Sequence, residues 1–471
     1  MDTDLNARGP RTSIAETRFD WPLCYEAENL VLNQIEMFCG RNSAAARMSE
    51  RMRAETGTRL IDWIDYLVLP VDLEPALRQA GFIPDPLGDA PATWQTVFWH
   101  PESMLPRLIL DRTLPGDGWP LALAIHVDSL SDFICANHLT GEPEGQPFTR
   151  FRRICIAREN GTHFEAVERS GYRGYSPEAL TPGRKDDWRE AQRLWKTRAR
   201  DFDDDAEGFR QARALLKRLI DLVGRDLACH IVFAEERAYW QQRNHAARIQ
   251  KQRQDRLGLG WANHDHHTFR SSRANFLALM SALEELGFER RERYYAGAQA
   301  GWGAQILEQP VEGMVAFCDV DLDPADTQID FSRQGLSTPR RLGTIGLWVG
   351  LHGESFLQAG MHHLECRFDF SLLREQLAAA GVETMKPFSD FPFLKQAFTQ
   401  GEQWPVRAER AERLVRAGLI DDAQFRKFIS EGALGSHLEN LQRKGGFKGF
   451  NQASVSVIIR DTDPRIHSHA A

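Results

Sequence analysis

Short strand-like runs, several of them mainly apolar, recur along the chain, and each is followed by a helical pattern and then by further strand-like runs. Residues 63–69 and 121–127 are predicted strands, and residues 73–79 and 129–137 are the short helices that follow them. The order of strand, helix and several strands therefore occurs twice in the first half of the chain.

The same order occurs twice more in the second half. One unit starts with a strand at residues 265–270, continues with a helix that ends before Gly287, and closes with three strand-like runs. The other starts at residues 362–368 and has a helix over residues 372–380 that Gly381 ends. Four units of roughly 50 residues indicate internal duplication. They predict an α+β fold of repeated βαβββ modules.

Between the second and third units the pattern changes. Residues 186–199, 206–224 and 235–257 are charged and have apolar positions at helical spacing, which predicts a helical insert. Residues 1–20 are polar and are expected to form a disordered arm.

Composition narrows the function classes. The formal charge of −8 and the pI near 6.0 favour neither nucleic acid nor an anionic membrane as the main partner. No apolar run approaches the roughly 20 residues that span a bilayer, and the N-terminus lacks a signal-peptide core, so a cytoplasmic location is expected. The seven scattered cysteines form no Cys-x-x-Cys pair, which argues against a zinc ribbon or a disulfide scaffold.

Residues 263–270 hold the densest candidate chemistry, with three histidines and an aspartate before a β-compatible run. Side chains of a regular strand alternate between two faces. One face is therefore predicted to carry His264, His266, Thr268 and Arg270, and the other Asp265, His267 and Phe269. Imidazole and guanidinium groups on one face suit a metal site that also holds an anion. The alternative is a polar loop whose histidines only form hydrogen bonds.

The third and fourth units share a His-x-x-x-Arg strand. His266 precedes Arg270 by four residues, and His363 precedes Arg367 by four. Each arginine would lie on the strand face of its histidine, roughly 13 Å further along. Equivalent strands of paired modules would bring the two histidines together. Two histidines and one carboxylate form a facial triad, the usual site of a non-haem Fe(II) with open coordination positions.

Two acidic residues are candidates for the carboxylate. Glu308 ends a predicted strand, and Glu402 lies in the segment Gln400-Gly401-Glu402-Gln403-Trp404. A site with both carboxylates would have the four ligands of a glyoxalase-type centre, whereas a site with one leaves room for a chelating substrate and O2.

The first two units lack the His-x-x-x-Arg strand and are predicted to be free of metal. The predicted division is an N-terminal arm with helices over residues 1–58, a metal-free module pair over 59–171, a helical linker or cap over 172–261, and a metal-binding module pair over 262–471.

The repeated unit looks like the module of the vicinal oxygen chelate superfamily, and residues 265–270 resemble the His-x-x-x-Arg strand of the 2-oxoadipate dioxygenase/decarboxylase (hydroxyglutarate synthase) family. His363 to Arg367 is similar to that family's second such strand, and Gly401-Glu402-Gln403 to the segment of its glutamate. The resemblance covers about residues 260–410. It implies cup-shaped mixed sheets around Fe(II) or another divalent metal, with His266, His363 and Glu402 as ligands. It also implies that Arg270 holds the carboxylate of a 2-oxo acid. Arg367, at the same spacing in the second strand, is the other candidate catalytic residue.

The leading hypothesis is an Fe(II)-dependent dioxygenase and decarboxylase that acts on a small 2-oxo or hydroxy acid with O2. A metal-dependent lyase or isomerase of the glyoxalase type is the second, in which the metal polarises a carbonyl and a carboxylate moves protons. A non-catalytic metabolite-binding protein is the third.

Overall fold

The computed structural model describes residues 21–88, 92, 95–114, 119–297, 300–338 and 341–451. The predicted arm over residues 1–20 lies outside the described residues. The α-helices of the described part are α1 Tyr25–Arg41, α2 Ser43–Arg51, α3 Glu74–Gln79, α4 Leu130–Ala136, α5 Arg184–Lys196, α6 Asp205–Val223, α7 Arg225–Gln242, α8 His245–Asp255, α9 Phe276–Glu285, α10 Thr344–His352, α11 Phe370–Ala379, α12 Ala408–Arg416 and α13 Asp422–Glu431.

The strands of the same residues are β1 Ile64–Pro70, β2 Ile83–Pro84, β3 Gln95–Trp99, β4 Arg107–Asp111, β5 Ala122–His126, β6 Phe151–Glu159, β7 Thr162–Arg169, β8 His264–Arg270, β9 Glu289–Tyr295, β10 Trp302–Gln309, β11 Met314–Asp321, β12 His363–Arg367, β13 Ser389–Phe391, β14 Leu394–Phe398, β15 Glu402–Trp404 and β16 Ala433–Arg443.

The first-half strands form one sheet, which we call the N-terminal sheet, in the order β2-β3-β4-β1-β5-β7-β6. β1 pairs in parallel with β4, β5 pairs in parallel with β7, and β1 and β5 pair antiparallel at the centre. The sheet is therefore two modules joined through their first strands. The second of them has two strands after its helix among the described residues, one fewer than the βαβββ pattern predicts.

The second-half strands form the C-terminal sheet, in the order β13-β14-β16-β12-β8-β11-β10-β9 with β15 beside β16. β8 is parallel to β11 and β12 is parallel to β16, while β8 and β12 are antiparallel neighbours at the centre. The last module is interrupted by β15, α12 and α13, which the sequence patterns did not predict. The predicted α+β class of paired βαβββ modules with a helical insert is confirmed.

The helical insert comprises α5 to α8 and packs against the C-terminal sheet. Phe233 of α7 contacts Phe269 of β8, with ring centroids 5.8 Å apart, inside one buried apolar cluster that also includes Leu364 of β12. The helix predicted over residues 235–257 is instead two helices, because Asn244 caps the start of α8 by accepting a hydrogen bond from the backbone of Ala247 at 2.8 Å. One face of β8 and β12 is thereby covered in part by the insert, and His266, His363 and Glu365 lie on the other face.

Two glycines end the helices that follow the central strands. Gly287 after α9 and Gly381 after α11 have φ values of 88° and 80°, a left-handed conformation that other residues adopt only with strain. Both positions were predicted as helix terminators from the sequence. Among the described helices none is both long enough and apolar enough to cross a membrane.

Candidate metal centre

Three adjacent strands bring five ionisable side chains to one place in the C-terminal sheet. β8 contributes His266, β12 contributes His363 and Glu365, and β16 contributes His437 and Glu439. The tripeptide His-Leu-Glu occurs on both β12 and β16, and the two copies pair residue for residue in parallel. Glu365 is also the cross-strand partner of His266. All five side chains are buried, at 6% exposure or less.

The ligand atoms lie close together in two adjacent groups. His266 Nε2 is 3.2 Å from Glu365 Oε1, and His363 Nε2 is 3.7 Å from Glu439 Oε2 and also contacts Glu365 Oε1. Among the described residues, the ligand atoms of His266, Glu365 and Glu439 lie within 4.8 Å of one another, as do those of the neighbouring trio His362, His363 and His437.

The electrostatics of this cluster favour a bound cation. Burial, and then the charge of Glu439, raises the pKa of Glu365 well above its usual range, and burial raises the pKa of Glu439 to about 8. Burial also lowers the pKa values of His266, His363 and His437, so their imidazoles are neutral and each keeps a lone pair for a metal. A divalent cation would offset the repulsion between the two buried carboxylates.

Asp265 orients His266. Its Oδ1 lies 2.9 Å from His266 Nδ1, and both of its oxygens accept hydrogen bonds from Arg443 at 2.9 Å. Although burial opposes it, the charge of Arg443 together with the hydrogen bond from His266 holds the pKa of Asp265 below its usual value. With Nδ1 hydrogen-bonded to this carboxylate, His266 presents Nε2 to the cluster, the arrangement typical of metal-bound histidines.

A β-bulge places Asp265 beside His266, so the side chains of β8 are distributed between the two faces differently from the prediction. The ladder between β8 and β12 passes from the pair His266–Glu365 to the pair His264–Cys366, so Asp265 is the extra residue. His264 therefore lies with His267 on the side of the helical insert, with ring centroids 5.0 Å apart, whereas Asp265 lies with His266. The regular alternation assumed from the sequence is wrong at these two positions.

Arg270 lies beside the cluster, at the end of β8. Its guanidinium carbon is 5.4 Å from the ring centre of Trp348, and Nε is 3.6 Å from Asp319 Oδ2. Burial is the main cause of the lowered pKa values of His363 and His437, and the positive charge of Arg270 lowers them further. The guanidinium of Arg270 is therefore close to both histidines. A substrate anion next to the metal would meet this guanidinium.

The structure does not bring the other predicted site residues to the cluster. Because β8 and β12 are antiparallel, Arg367 lies at the opposite end from Arg270 and lines a separate, larger cavity. Glu308 of β10 pairs with Lys448 at 3.0 Å and lines the same larger cavity. Glu402 accepts a hydrogen bond from the backbone of His245 at the start of α8. Its place beside the two histidines is taken by Glu439 and Glu365.

A cavity of about 70 Å³ adjoins the cluster. Arg270, Thr268 and Gln396 supply polar groups to its wall, which is otherwise largely aromatic. The aromatic residues are Tyr294, Trp302, Phe317, Phe388, Phe398 and Phe450. Thr268 donates a hydrogen bond to Glu365 at 2.9 Å and Gln396 donates one to Glu439 at 2.8 Å, so the two carboxylates are oriented from the cavity wall. The cavity is suited to a small acid with an apolar remainder.

The residues present fit a divalent metal. Two imidazole nitrogens and one or two carboxylates are the donor set that Fe(II), Mn(II) and Zn(II) accept. In the described part of the chain, Oε2 of Glu365 and both ring nitrogens of His437 are buried without a hydrogen-bond partner. Buried polar atoms normally have a partner, so these three atoms favour an ion or a coordinated ligand at this position.

Sequence reasoning missed Glu365, Glu439 and His437, although a signal was present. His-Leu-Glu occurs at residues 363–365 and again at residues 437–439, and in a strand this spacing puts both ionisable side chains on one face. The repeat would have pointed to β16.

No protein-family model matches the chain, and the search of curated proteins found no match. Solved structures with some similarity include a mutant of 4-hydroxymandelate synthase from Streptomyces coelicolor (14% identity, covering 86% of this chain and 99% of that one, TM-score 0.28). Others are the Mn(II)-bound glyoxalase from Novosphingobium aromaticivorans (9%, 81% and 82%, 0.20) and the uncharacterized protein YdcJ from Shigella flexneri (11%, 51% and 73%, 0.23). At these TM-scores the similarities carry no functional argument.

Proposed function

We propose that the chain is an Fe(II)-dependent dioxygenase and decarboxylase that acts on a small 2-oxo or hydroxy acid, similar to 2-oxoadipate dioxygenase. The supporting observation is that His266, His363 and Glu439 converge from three adjacent strands, with Arg270 on the wall of the adjoining cavity. Two histidines and one carboxylate leave coordination positions for a chelating acid and O2. Glu439 thus takes the role that the resemblance implied for Glu402.

Each residue of the site has a distinct task in this proposal. His266 and His363 would hold the metal through Nε2, and Glu439 through its carboxylate. When bound, the ferrous ion supplies the site at which the substrate and O2 are activated. Arg270 would pair with the carboxylate of the substrate and fix its orientation. Asp265 keeps the His266 ring in the tautomer and orientation that binding requires.

The aromatic wall has the task of excluding water. Phe317 and Phe450 pack against His266, with ring centroids 5.9 and 4.9 Å from it. Exclusion of water strengthens the attraction between Arg270 and a carboxylate, because the effective dielectric constant is lower in an apolar cavity. A small acid with an apolar chain would satisfy both the guanidinium and the aromatic wall.

Glu365 favours a second candidate, a metal-dependent lyase or isomerase of the glyoxalase type. Its carboxylate lies within 3.2 Å of His266 and could act as a fourth ligand or as the base that moves a proton. Such an enzyme would turn over its substrate without consuming O2. Oxygen uptake therefore separates the two candidates.

The test is anaerobic loading with Fe(II), followed by an oxygen-electrode screen over pyruvate, 2-oxoglutarate and 2-oxoadipate with detection of released CO2. We expect uptake with at least one acid, and its loss in His266→Ala and Glu439→Gln. Glu402→Gln is the matched control, because Glu402 contacts the start of α8 and a glutamine keeps an acceptor oxygen. Equal loss in Glu402→Gln, or undiminished uptake in Glu439→Gln, would contradict the proposed ligand set.

A further inference from the structure

A second cavity, of about 460 Å³, lies where the two halves of the chain meet. Asp65, His126 and Arg169 line it from the first half, and His264 and Arg367 line it from the C-terminal sheet. It shares no lining residue with the metal cavity. Its volume is that of a typical small-molecule site.

Most acidic side chains of this large cavity are already engaged. Asp65 accepts two hydrogen bonds from Arg169 at 2.7 and 2.8 Å, and Asp85 binds both Arg107 and Arg173. The carboxylates of Asp128, Asp265, Glu308 and Glu312 each contact a backbone N–H, an arginine, a lysine or a histidine. Their charge is therefore largely compensated within the fold.

Two arginines of the cavity differ from the rest. Over the residues that the structure describes, neither Arg237 nor Arg367 has a carboxylate oxygen within 4.0 Å. Arg237 is 5% exposed, and its Nη1 lies 3.3 Å from a ring nitrogen of His267. Nε of Arg367 and Nδ1 of His264 are buried and have no hydrogen-bond partner among these residues.

Such an arrangement is costly without a counter-ion. A guanidinium removed from water loses hydration that only an anion or several hydrogen bonds can replace. The unpartnered Nε–H of Arg367 and the ring nitrogen of His264 provide hydrogen-bonding positions, while Arg237 adds a second positive charge. Guanidinium groups bind carboxylates and phosphates through paired N–H donors.

We propose that this large cavity is a binding site for a small organic anion, whose carboxylate or phosphate group is held by Arg237, Arg367 and His264. The site is independent of the metal centre and of the function proposed for it. Trp99 and Tyr175 line other parts of the cavity and offer apolar surface to the remainder of the ligand. Asp265 also lines this cavity and contacts His266, so the proposed anion site adjoins a residue that orients a proposed metal ligand.

The test is isothermal titration calorimetry of the full, metal-loaded chain with inorganic phosphate, succinate and glucose 6-phosphate. We expect at least one probe to bind, and Arg367→Gln and Arg237→Gln each to weaken it about tenfold or more, the usual effect of removing a charge-assisted contact. Arg53→Gln removes the same charge from a side chain that is 67% exposed, and is expected to bind the probe normally.

A further variant separates this site from the metal centre. His266→Ala removes a proposed metal ligand and is expected to keep the affinity for the probe, whatever happens to oxygen uptake. Any one of three results would overturn the proposal. The first is that the unmodified chain binds no probe up to about 10 mM. The second is that both arginine variants bind the probe as tightly as the unmodified chain, and the third is that His266→Ala no longer binds it. If Arg237→Gln does not fold, Arg367→Gln decides alone, because Arg367 ends a strand and is partly exposed.

Discussion

The N-terminal and C-terminal sheets share the pairing pattern of their four central strands but have very different residues at the centre. At the junction of β1 and β5 the side chains are Tyr66 and Val68 opposite Ala122 and Ala124, and they belong to an apolar cluster. At the corresponding junction of β8 and β12 the positions hold His266, Thr268, His363 and Glu365. The backbone arrangement therefore forms without metal ligands at its centre. Ionisable residues at the centre of the C-terminal sheet therefore call for a functional explanation.

The largest predicted difference between the two sheets is that only a substitution in the C-terminal sheet removes the metal. We expect His363→Ala to abolish stoichiometric binding of a divalent metal, a change greater than the roughly 10- to 100-fold loss that outer residues cause. Metal content after reconstitution, measured by mass spectrometry, checks this. Tyr66→Phe, at the matching junction, is expected to leave the metal content unchanged. A His363→Ala protein with one metal ion per chain would refute the assignment.

Substitution in the apolar layer should distinguish stability from metal binding. Leu67 of β1 and Leu364 of β12 are both fully buried, so replacement of either by alanine should lower the free energy of unfolding by about 2–5 kcal/mol. Leu364 stands between His363 and Glu365, so only Leu364→Ala is expected also to weaken metal binding. Urea denaturation and metal titration measure the two effects. A loss of metal in a folded Leu67→Ala protein would contradict the expectation that substitutions in the N-terminal sheet affect stability without affecting metal binding.

Removal of the Asp265 carboxylate, which contacts Nδ1 of His266, should have a smaller effect on metal binding. We expect Asp265→Asn to weaken metal binding by roughly 10- to 100-fold, because an amide does not bear the charge that stabilises a donating imidazole. Competition with a fluorescent chelator measures the affinity. Asp65→Asn is the counterpart in the N-terminal sheet, since Asp65 also binds an arginine in a bidentate manner but touches no proposed ligand. Equal affinities in Asp265→Asn and the unmodified protein would remove Asp265 from the site.

The smallest predicted effect is a pH dependence of stability in the second half. Burial raises the pKa of Glu354 to about 7, above the usual 4.5 of a glutamate, although hydrogen bonds from Ser272 and Asn275 oppose the shift. The folded chain therefore holds a proton that the unfolded chain releases, and stability falls as the pH rises through this window. Between about pH 5.5 and pH 7.5 the contribution of this one carboxyl group to the decrease should be roughly 2 kcal/mol.

Glu354→Gln should reduce this slope, because glutamine keeps an acceptor for Ser272 and does not ionise. Urea denaturation at the two pH values measures the slope. A slope that is the same in the variant would assign the pH dependence to other groups.

Local patterns were sufficient to predict the modules but not the carboxylate that we propose as a ligand. His266 and His363 were singled out because each precedes an arginine by four residues in a recognisable strand, and the helices after these strands end at glycines that the sequence displays. Glu439 lies 76 positions beyond His363, after an inserted strand and two helices, so no local pattern links the two. Glu402 was chosen from a segment that in the folded chain contacts the start of α8.

By itself, the sequence determined the strand-helix order that opens each module, the repetition of the modules and the two His-x-x-x-Arg strands, because hydrophobic periodicity and helix terminators act over a few residues. Only the tertiary structure decided which carboxylates join these histidines, that a bulge turns Asp265 toward His266, and that Arg270 and Arg367 face different cavities. These outcomes depend on strand order, direction and register, which are set by the packing of distant segments.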